Sequence, residues 1–167
     1  TLYSLSSGTY NTAVGSEASN ALATGSNNTA LGYRALFSSS NATYNTAVGS
    51  LALAGLTSTI TNDRNTALGA SSLGALTTGQ YNTAIGETAL SNITTGSNNV
   101  SIGQYAGSSN VSNTTVTTAN QGVFIGVGSK ALTTSSTNEI VIGYGALGTG
   151  SNTTVIGNSS ITSAKIW

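Results

Sequence analysis

The chain has 167 residues and no formal net charge, and charged residues make up only 5% of it, against roughly 25% in ordinary soluble domains. It contains 21 Gly but no Pro, Cys, His or Met. Zero net charge excludes a basic footprint for nucleic acid or an anionic membrane, and the lack of Cys excludes a disulfide scaffold. Because no run of about 18 apolar residues occurs, the sequence predicts no membrane insertion.

A glycine recurs along the chain at a nearly constant spacing, and a large aliphatic residue precedes it each time. The successive spacings are 17, 17, 20, 17, 17, 23, 17 and 14 residues. We call these residues the anchor glycines: Gly15, Gly32, Gly49, Gly69, Gly86, Gly103, Gly126, Gly143 and Gly157. The preceding aliphatic residues are Val14, Leu31, Val48, Leu68, Ile85, Ile102, Ile125, Ile142 and Ile156.

Two residues before each aliphatic position stands a β-branched residue. These residues are Thr12, Thr29, Thr46, Thr66, Thr83, Val100, Val123, Ile140 and Thr154. The residue between the two positions is Ala in the first five copies and larger in the last three, where Phe124 is the largest. Alternation with a period of two and β-branched residues favours a short strand with two unlike faces, and glycine permits the bend after it.

The segment between one strand and the next also repeats. Small-Leu pairs follow several anchor glycines at the third and fourth positions, namely Ala35-Leu36, Ala52-Leu53, Ser72-Leu73, Ala89-Leu90 and Ala146-Leu147. A period of 17 residues is too short for a βαβ unit, which needs about 30. The sequence therefore predicts an all-β, parallel β-solenoid of about nine coils over residues 1–157, with an exit segment at 158–167.

The interior of such a coil is thin, because much of the apolar content is Ala. The strand residues therefore have two possible roles: they form the core of the stacked coils, or they face the same columns of other chains. The predicted core or oligomer face consists of Thr12, Val14, Leu31, Val48, Leu68, Ile85, Val100, Ile102, Val123, Ile125, Ile140, Ile142 and Ile156.

The segment 98–103, Asn-Asn-Val-Ser-Ile-Gly, resembles the head-domain motif of the trimeric autotransporter adhesins, the YadA-like family, as do 138–143 and 152–157. The 17-residue copies, such as 44–49, resemble repeats of phage tail fibres and fibre-like bacterial surface proteins. The resemblance implies a left-handed β-roll, a homotrimer with the aliphatic positions turned inward, and an extracellular location. Only the last spacing, 14 residues, matches the usual coil of the adhesins.

Catalytic and metal chemistry find little support in the sequence. His and Cys are absent, and the four acids, Glu17, Asp63, Glu87 and Glu139, are scattered. We therefore predict no catalytic, metal or cofactor site. One Asn precedes each of the first six strands, at Asn11, Asn28, Asn45, Asn65, Asn82 and Asn99. We interpret this column as a hydrogen-bonded ladder rather than a set of ion ligands.

The candidate receptor contacts come from two features. Tyr10, Tyr44 and Tyr81 share one position of the repeat, and exposed aromatic rows either stack on a glycan or protein receptor or fill an interface between chains. Two enlarged repeats, within 54–64 and 107–122, predict surface loops. These loops add Asp63, Arg64, Asn110 and Asn113 to the candidates.

These observations predict a non-enzymatic segment of a trimeric extracellular fibre that attaches to a host cell or surface, as an adhesin head or a phage tail fibre. Its partners are two further copies of the chain and a surface receptor. Two alternatives stay open. The Thr column would suit an ice-binding or crystal-surface-binding solenoid, although Val100, Val123 and Ile140 interrupt it, and the repeat would also suit a passive fibre spacer.

Overall fold

The computed structural model describes residues 2, 4–55 and 63–161. It contains one parallel sheet of nine strands whose spatial order is the chain order, so the predicted β-solenoid is confirmed, with about eight turns joining the strands. Each strand has three residues. They are β1 (Thr12–Val14), β2 (Thr29–Leu31), β3 (Thr46–Val48), β4 (Thr66–Leu68), β5 (Thr83–Ile85), β6 (Val100–Ile102), β7 (Val123–Ile125), β8 (Ile140–Ile142) and β9 (Thr154–Ile156).

The sequence columns are also columns in space, because successive strands pair without a register shift. Thr12 lies opposite Thr29, and Val14 lies opposite Leu31. The backbone repeats this pattern outside the strands: the amide of Gly32 donates to the carbonyl of Val14 at 2.8 Å, one coil away. Coils therefore stack like parallel strands, at about 4.8 Å, and the two longer repeats leave the strand register unchanged.

The anchor glycines are required both by their backbone angles and by the space around them. Gly86 has φ +129°, and a Cβ there would lie 2.6 Å from the carbonyl carbon of Gly103 in the next coil. No L-amino acid adopts that conformation comfortably, and none would fit beneath the neighbouring backbone. The glycine column thus sets the bend that ends each strand.

The two faces of each strand have opposite environments. The middle residue points into the coil: Ala30 and Ala84 are fully buried, and so are Phe124 and Val141. The flanking residues point outward, and Leu31 retains 47% exposure. The structure thus decides one alternative for the predicted face. Within a single chain, the aliphatic and Thr columns are not the coil interior.

Residues from the segment between one strand and the next, which we call the return path, complete the interior. Four leucines at the fourth position after an anchor glycine are fully buried against the strand alanines: Leu36, Leu53, Leu73 and Leu90. Their φ values are positive, between 48° and 53°, which is uncommon for a side chain of this size. This backbone conformation turns each leucine into the coil, where its burial offsets the strain.

The packing changes at β7. Gly107 stands where the earlier coils carry Leu, and a Cβ on it would lie 2.8 Å from the Phe124 ring. Gly122 stands where they carry Asn, and its Cβ would lie 2.5 Å from the same ring. One large side chain therefore occupies the space of two side chains that the chain omits.

The enlarged repeat at 107–122 forms the predicted loop. Ser109 and Thr115 form an antiparallel bridge, and residues 112–115 are exposed. The amide of Val111 donates to the carbonyl of Ala131 at 2.9 Å, so the base of the loop lies in register on the next coil. In the other enlarged repeat, 54–64, residues 56–62 lie outside the described residues.

Candidate functional site

The main surface feature is the outward side of the nine strands, which we call the strand face. It consists of the Thr or β-branched column and the aliphatic column. Leu31, Leu68 and Ile102 are 47%, 46% and 40% exposed. Eight steps of about 4.8 Å between nine strands give the face a length of roughly 40 Å. Monomers rarely leave such a continuous apolar strip uncovered.

The strand face is not uniform along its length. In β1 to β5 its first column is Thr, and Thr12, Thr29 and Thr46 are exposed. In β6 to β8 the same column is Val100, Val123 and Ile140. Both columns are therefore aliphatic over three coils, and the face is most apolar there.

A column of long polar and aromatic side chains borders the strand face where the strands begin. We call it the tyrosine edge. It consists of the residues five positions before each anchor glycine: Tyr10, Asn27, Tyr44, Arg64, Tyr81, Asn98, Gln121, Asn138 and Asn152. All nine have positive φ, and the three predicted tyrosines are exposed by 51% or more.

Arg64 links two of these tyrosines. Its guanidinium carbon lies 5.2 Å from the ring centroid of Tyr44 and 5.6 Å from that of Tyr81. The cation therefore sits between two aromatic rings, a favourable arrangement of about 0.5–1 kcal/mol per ring at an exposed site. Because Arg64 covers the faces of the Tyr44 and Tyr81 rings that are turned toward it, a receptor would contact the edges and hydroxyls of these two rings.

A second column borders the strand face where the strands end, and we call it the glycine edge. It consists of the residues directly after the anchor glycines: Ser16, Tyr33, Ser50, Ala70, Glu87, Gln104, Val127, Tyr144 and Asn158. Glu87 Oε2 accepts a hydrogen bond from Gln104 Nε2 at 2.7 Å. The side chain of Glu87 is exposed, and the pair holds its carboxylate at the surface.

One residue beyond the glycine edge, Glu17 and Arg34 form an ion pair between adjacent coils. The Oε2 and Nε atoms are 2.6 Å apart, and the guanidinium also lies 4.8 Å from the ring centroid of Phe37. The hydrogen bond that Arg34 donates to Glu17 raises the pKa of Arg34. Since the side chains of Arg34 and Glu17 are 40% and 34% exposed, this pair contributes little to stability.

The other receptor candidates have different degrees of access. Asp63 is half-buried and accepts the Thr43 amide at 2.8 Å. Asn110 is buried, and its Oδ1 accepts the amides of Ser112 and Thr114 at 3.0 and 2.9 Å. These two hydrogen bonds stabilise the loop, and the buried Asn110 side chain is not available to a receptor. Asn113 is exposed at the loop tip, where Lys130 donates to it.

The asparagine ladder is confirmed. Each Oδ1 accepts both the backbone amide and the side-chain amide of the next Asn; for Asn28 donating to Asn11, both distances are 3.0 Å. The ladder continues in the same way to Asn99. It ends where Gly122 donates its amide to Asn99 Oδ1 at 2.8 Å. These amides are used within the protein and offer no free ligands to an ion.

Glu139 is a buried carboxylate that the sequence analysis did not single out. It is fully buried, and Oε1 accepts the Gly150 amide at 2.8 Å while Oε2 accepts that of Leu132 at 3.2 Å. It lies four residues before an anchor glycine, in the column of the ladder asparagines. That alignment is the sequence signal that could have placed it inside.

The geometry offers no constellation for chemistry in the described part of the chain. Its acids lie in different coils and on different sides, and no group of three or more His, Cys, Asp or Glu residues comes together there. The same residues contain no helix with the length and apolar character needed to cross a membrane. The strand face and its two edges are therefore the candidate site.

Comparison of the chain with protein-family models, with curated proteins and with solved structures gave no match.

Proposed function

We propose that this chain is a non-enzymatic segment of a trimeric extracellular fibre that attaches to a host cell or surface. The observation that carries the proposal is the exposed strand face, continuous over nine in-register strands. Two further copies of the chain would cover it, each turning its own strand face toward a common axis. Attachment would then be multivalent, because three copies of every outer surface are displayed together.

The dimensions of the face suit this role. Its length is roughly 40 Å, and six residue steps of about 3.3 Å between the two edges give a width of at most about 20 Å. The resulting area, at most roughly 800 Å², is close to what one partner contributes to a stable protein interface. The aliphatic coils of β6 to β8 would supply the driest part of that interface.

Sedimentation equilibrium tests the assembly. We expect a particle of three 16.5 kDa chains. Leu68→Asp, in the middle of the face, should dissociate it because three carboxylates would be buried together. Leu147→Asp is the matched control, since Leu147 is comparably exposed, 50% against 46%, but lies on the return path. A stable wild-type monomer would contradict the trimer.

Receptor attachment needs its own measurement. The protein, carrying a fluorescent label, is bound to host cells or glycan arrays. Changing exposed residues of the loop tip such as Asn113 should lower the bound fluorescence while the trimer stays assembled. Deleting the two coils of β2 and β3 separates attachment from a passive spacer. A spacer would become shorter and lose nothing else.

The exposed Thr column keeps an ice-binding or crystal-surface-binding role as the second candidate. Thr12, Thr29 and Thr46 are exposed on a parallel sheet whose strands pair in register, with repeats of about 4.8 Å along it. This role requires the strand face to be open to water, so it competes with the trimer. Thermal hysteresis from a monomer would favour it, whereas a trimer without hysteresis would remove it.

A further inference from the structure

The two edges of the strand face carry one charge each, and the two charges have opposite signs. Among the nine residues of the tyrosine edge, all of them described, Arg64 is the only charged one. Among the nine of the glycine edge, also all described, Glu87 is the only charged one. In a chain with four bases and four acids in total, this distribution calls for a physical reason.

Among the described residues, no ion pair neutralises either of these charges, and the ion pair found there joins Glu17 and Arg34. Arg64 lies between two tyrosine rings, and the neighbouring carboxylate of Asp63 accepts the Thr43 amide. Arg64 and Glu87 lie on opposite edges of the strand face, with the strands and up to about 20 Å between the two edges.

The two charges lie at nearly the same height along the solenoid. Arg64 directly precedes β4, and Glu87 directly follows β5. The difference is one coil, about 4.8 Å. Long Arg and Glu side chains span such an offset easily.

Closed rotational symmetry brings these edges together. In a ring of three copies, each turning its strand face to the axis, the tyrosine edge of one copy adjoins the glycine edge of the next. Rotation about the axis changes no residue's height. Arg64 of each copy therefore arrives beside Glu87 of its neighbour, and the same contact occurs three times.

We infer that Arg64 and Glu87 form an ion pair between neighbouring copies of this chain, repeated around the ring, which limits axial slip between the copies. The inference rests on the proposed trimer. The hydrophobic strand face alone specifies register weakly, because its columns repeat every coil and a slip by one coil changes little. A single pair of opposite charges, by contrast, disfavours slips that separate the two groups by more than one coil.

The surroundings of both groups are preorganised for this contact. The rings of Tyr44 and Tyr81 flank the guanidinium of Arg64, and Gln104 donates a hydrogen bond to the carboxylate of Glu87. Less side-chain freedom is then lost when the pair forms, and that entropy loss is what usually makes exposed ion pairs weak.

Charge reversal tests the pair. At low salt, Arg64→Glu or Glu87→Arg should raise the protein concentration at half-dissociation roughly tenfold, since three weak pairs become repulsive together. The double reversal should restore it. High salt should shrink the differences. Lys130→Glu, the same change of charge on the return path, is the control and should leave association unchanged.

Cross-linking gives a second readout that does not depend on the strength of the pair. Because the chain has no Cys, Arg64→Cys with Glu87→Cys provides a single pair of sites for a short bis-maleimide. Covalent trimers should form with this variant. They should not form with Arg64→Cys and Tyr144→Cys, whose sites lie four coils apart along the axis, about 19 Å.

The outcomes separate the inference from the proposed function. If the wild type is trimeric but single reversals associate normally, or only the Tyr144 combination cross-links, the ion pair is overturned and the trimer stands. If the wild type is monomeric, both are overturned. Restoration by the double reversal together with covalent trimers supports both.

Discussion

The coils before β6 and those after it fill the same interior in different ways. Around β2 to β5 a strand Ala faces a return-path Leu, and an Asn closes the turn before each strand. Around β6 and β7, Ser101 and Gly107 leave room that Phe124 fills from the next coil. The large interior side chain therefore comes from the return path in the earlier coils and from the strand in the later ones.

This difference shows which parts of the repeat are independent. Strand register and the anchor glycines continue through the change without interruption, because they depend only on backbone contacts between coils. The interior residues change together, because packing at crystal-like density couples neighbouring volumes. In a repeat unit of this kind the backbone conformation is therefore fixed, whereas the interior side chains can be exchanged for others if their total volume is conserved.

The exchange of Phe for Leu offers the largest test. Phe124→Ala should destabilise the protein by about 3–5 kcal/mol, because it leaves a cavity next to Gly107 and Gly122. Adding Gly107→Leu should recover about 2 kcal/mol or more, since it rebuilds the Ala-Leu pair of the earlier coils. Urea unfolding followed by circular dichroism measures both.

Gly107→Leu on its own is the control for that experiment. It should destabilise, because its side chain would collide with Phe124 and Leu90. If the two substitutions simply add, with no coupling energy, the volume exchange described above is wrong.

Replacing the buried carboxylate is the next test, because Glu139 occupies in a later coil the column that asparagines occupy in the earlier ones. Glu139→Ala should cost about 2–3 kcal/mol, since the amides of Leu132 and Gly150 lose their acceptor in a dry site. Glu139→Gln keeps an acceptor and should cost less. Thermal unfolding of both variants measures the difference.

Asn82→Ala provides the matched position in the ladder. It removes the acceptor for the Asn99 amide and should cost a similar amount. A negligible effect of Glu139→Ala beside a large one of Asn82→Ala would mean that the carboxylate has no structural role.

The smallest expected effect concerns the backbone two residues after the anchor glycine. The earlier coils place Thr88 there at φ +54°, and the later ones place Gly128 at φ +65°. Gly128→Thr should destabilise by about 1 kcal/mol through backbone strain alone, because its Cβ would meet nothing within 4 Å. Differential scanning calorimetry resolves a shift of this size.

The reciprocal change, Thr88→Gly, should stabilise by less than Gly128→Thr destabilises, because it also removes the hydrogen bond that the Thr88 hydroxyl donates to the Glu87 carbonyl. A loss of stability in Thr88→Gly would show that the hydroxyl bond to the Glu87 carbonyl, 2.7 Å long, outweighs the strain.

The sequence by itself determined the period, the strands and their register. Glycine at φ near +130° tolerates no substitute, and an in-register Asn column can satisfy its amides only as a ladder, so these features are visible residue by residue. These features are local, because each coil repeats the contacts of the one before. The loop at 107–122 followed from the same count.

Only the tertiary structure decided which side of each strand lies inside. Period-two alternation gives two faces but does not say which is buried, and here the small Ala column points inward while Leu31 and Leu68 point outward. The return-path leucines cause this, because they fill the coil and leave room only for a small strand residue. The burial of Glu139 and the two oppositely charged edges arise in the same way, from residues far apart in sequence that stacking brings into common columns.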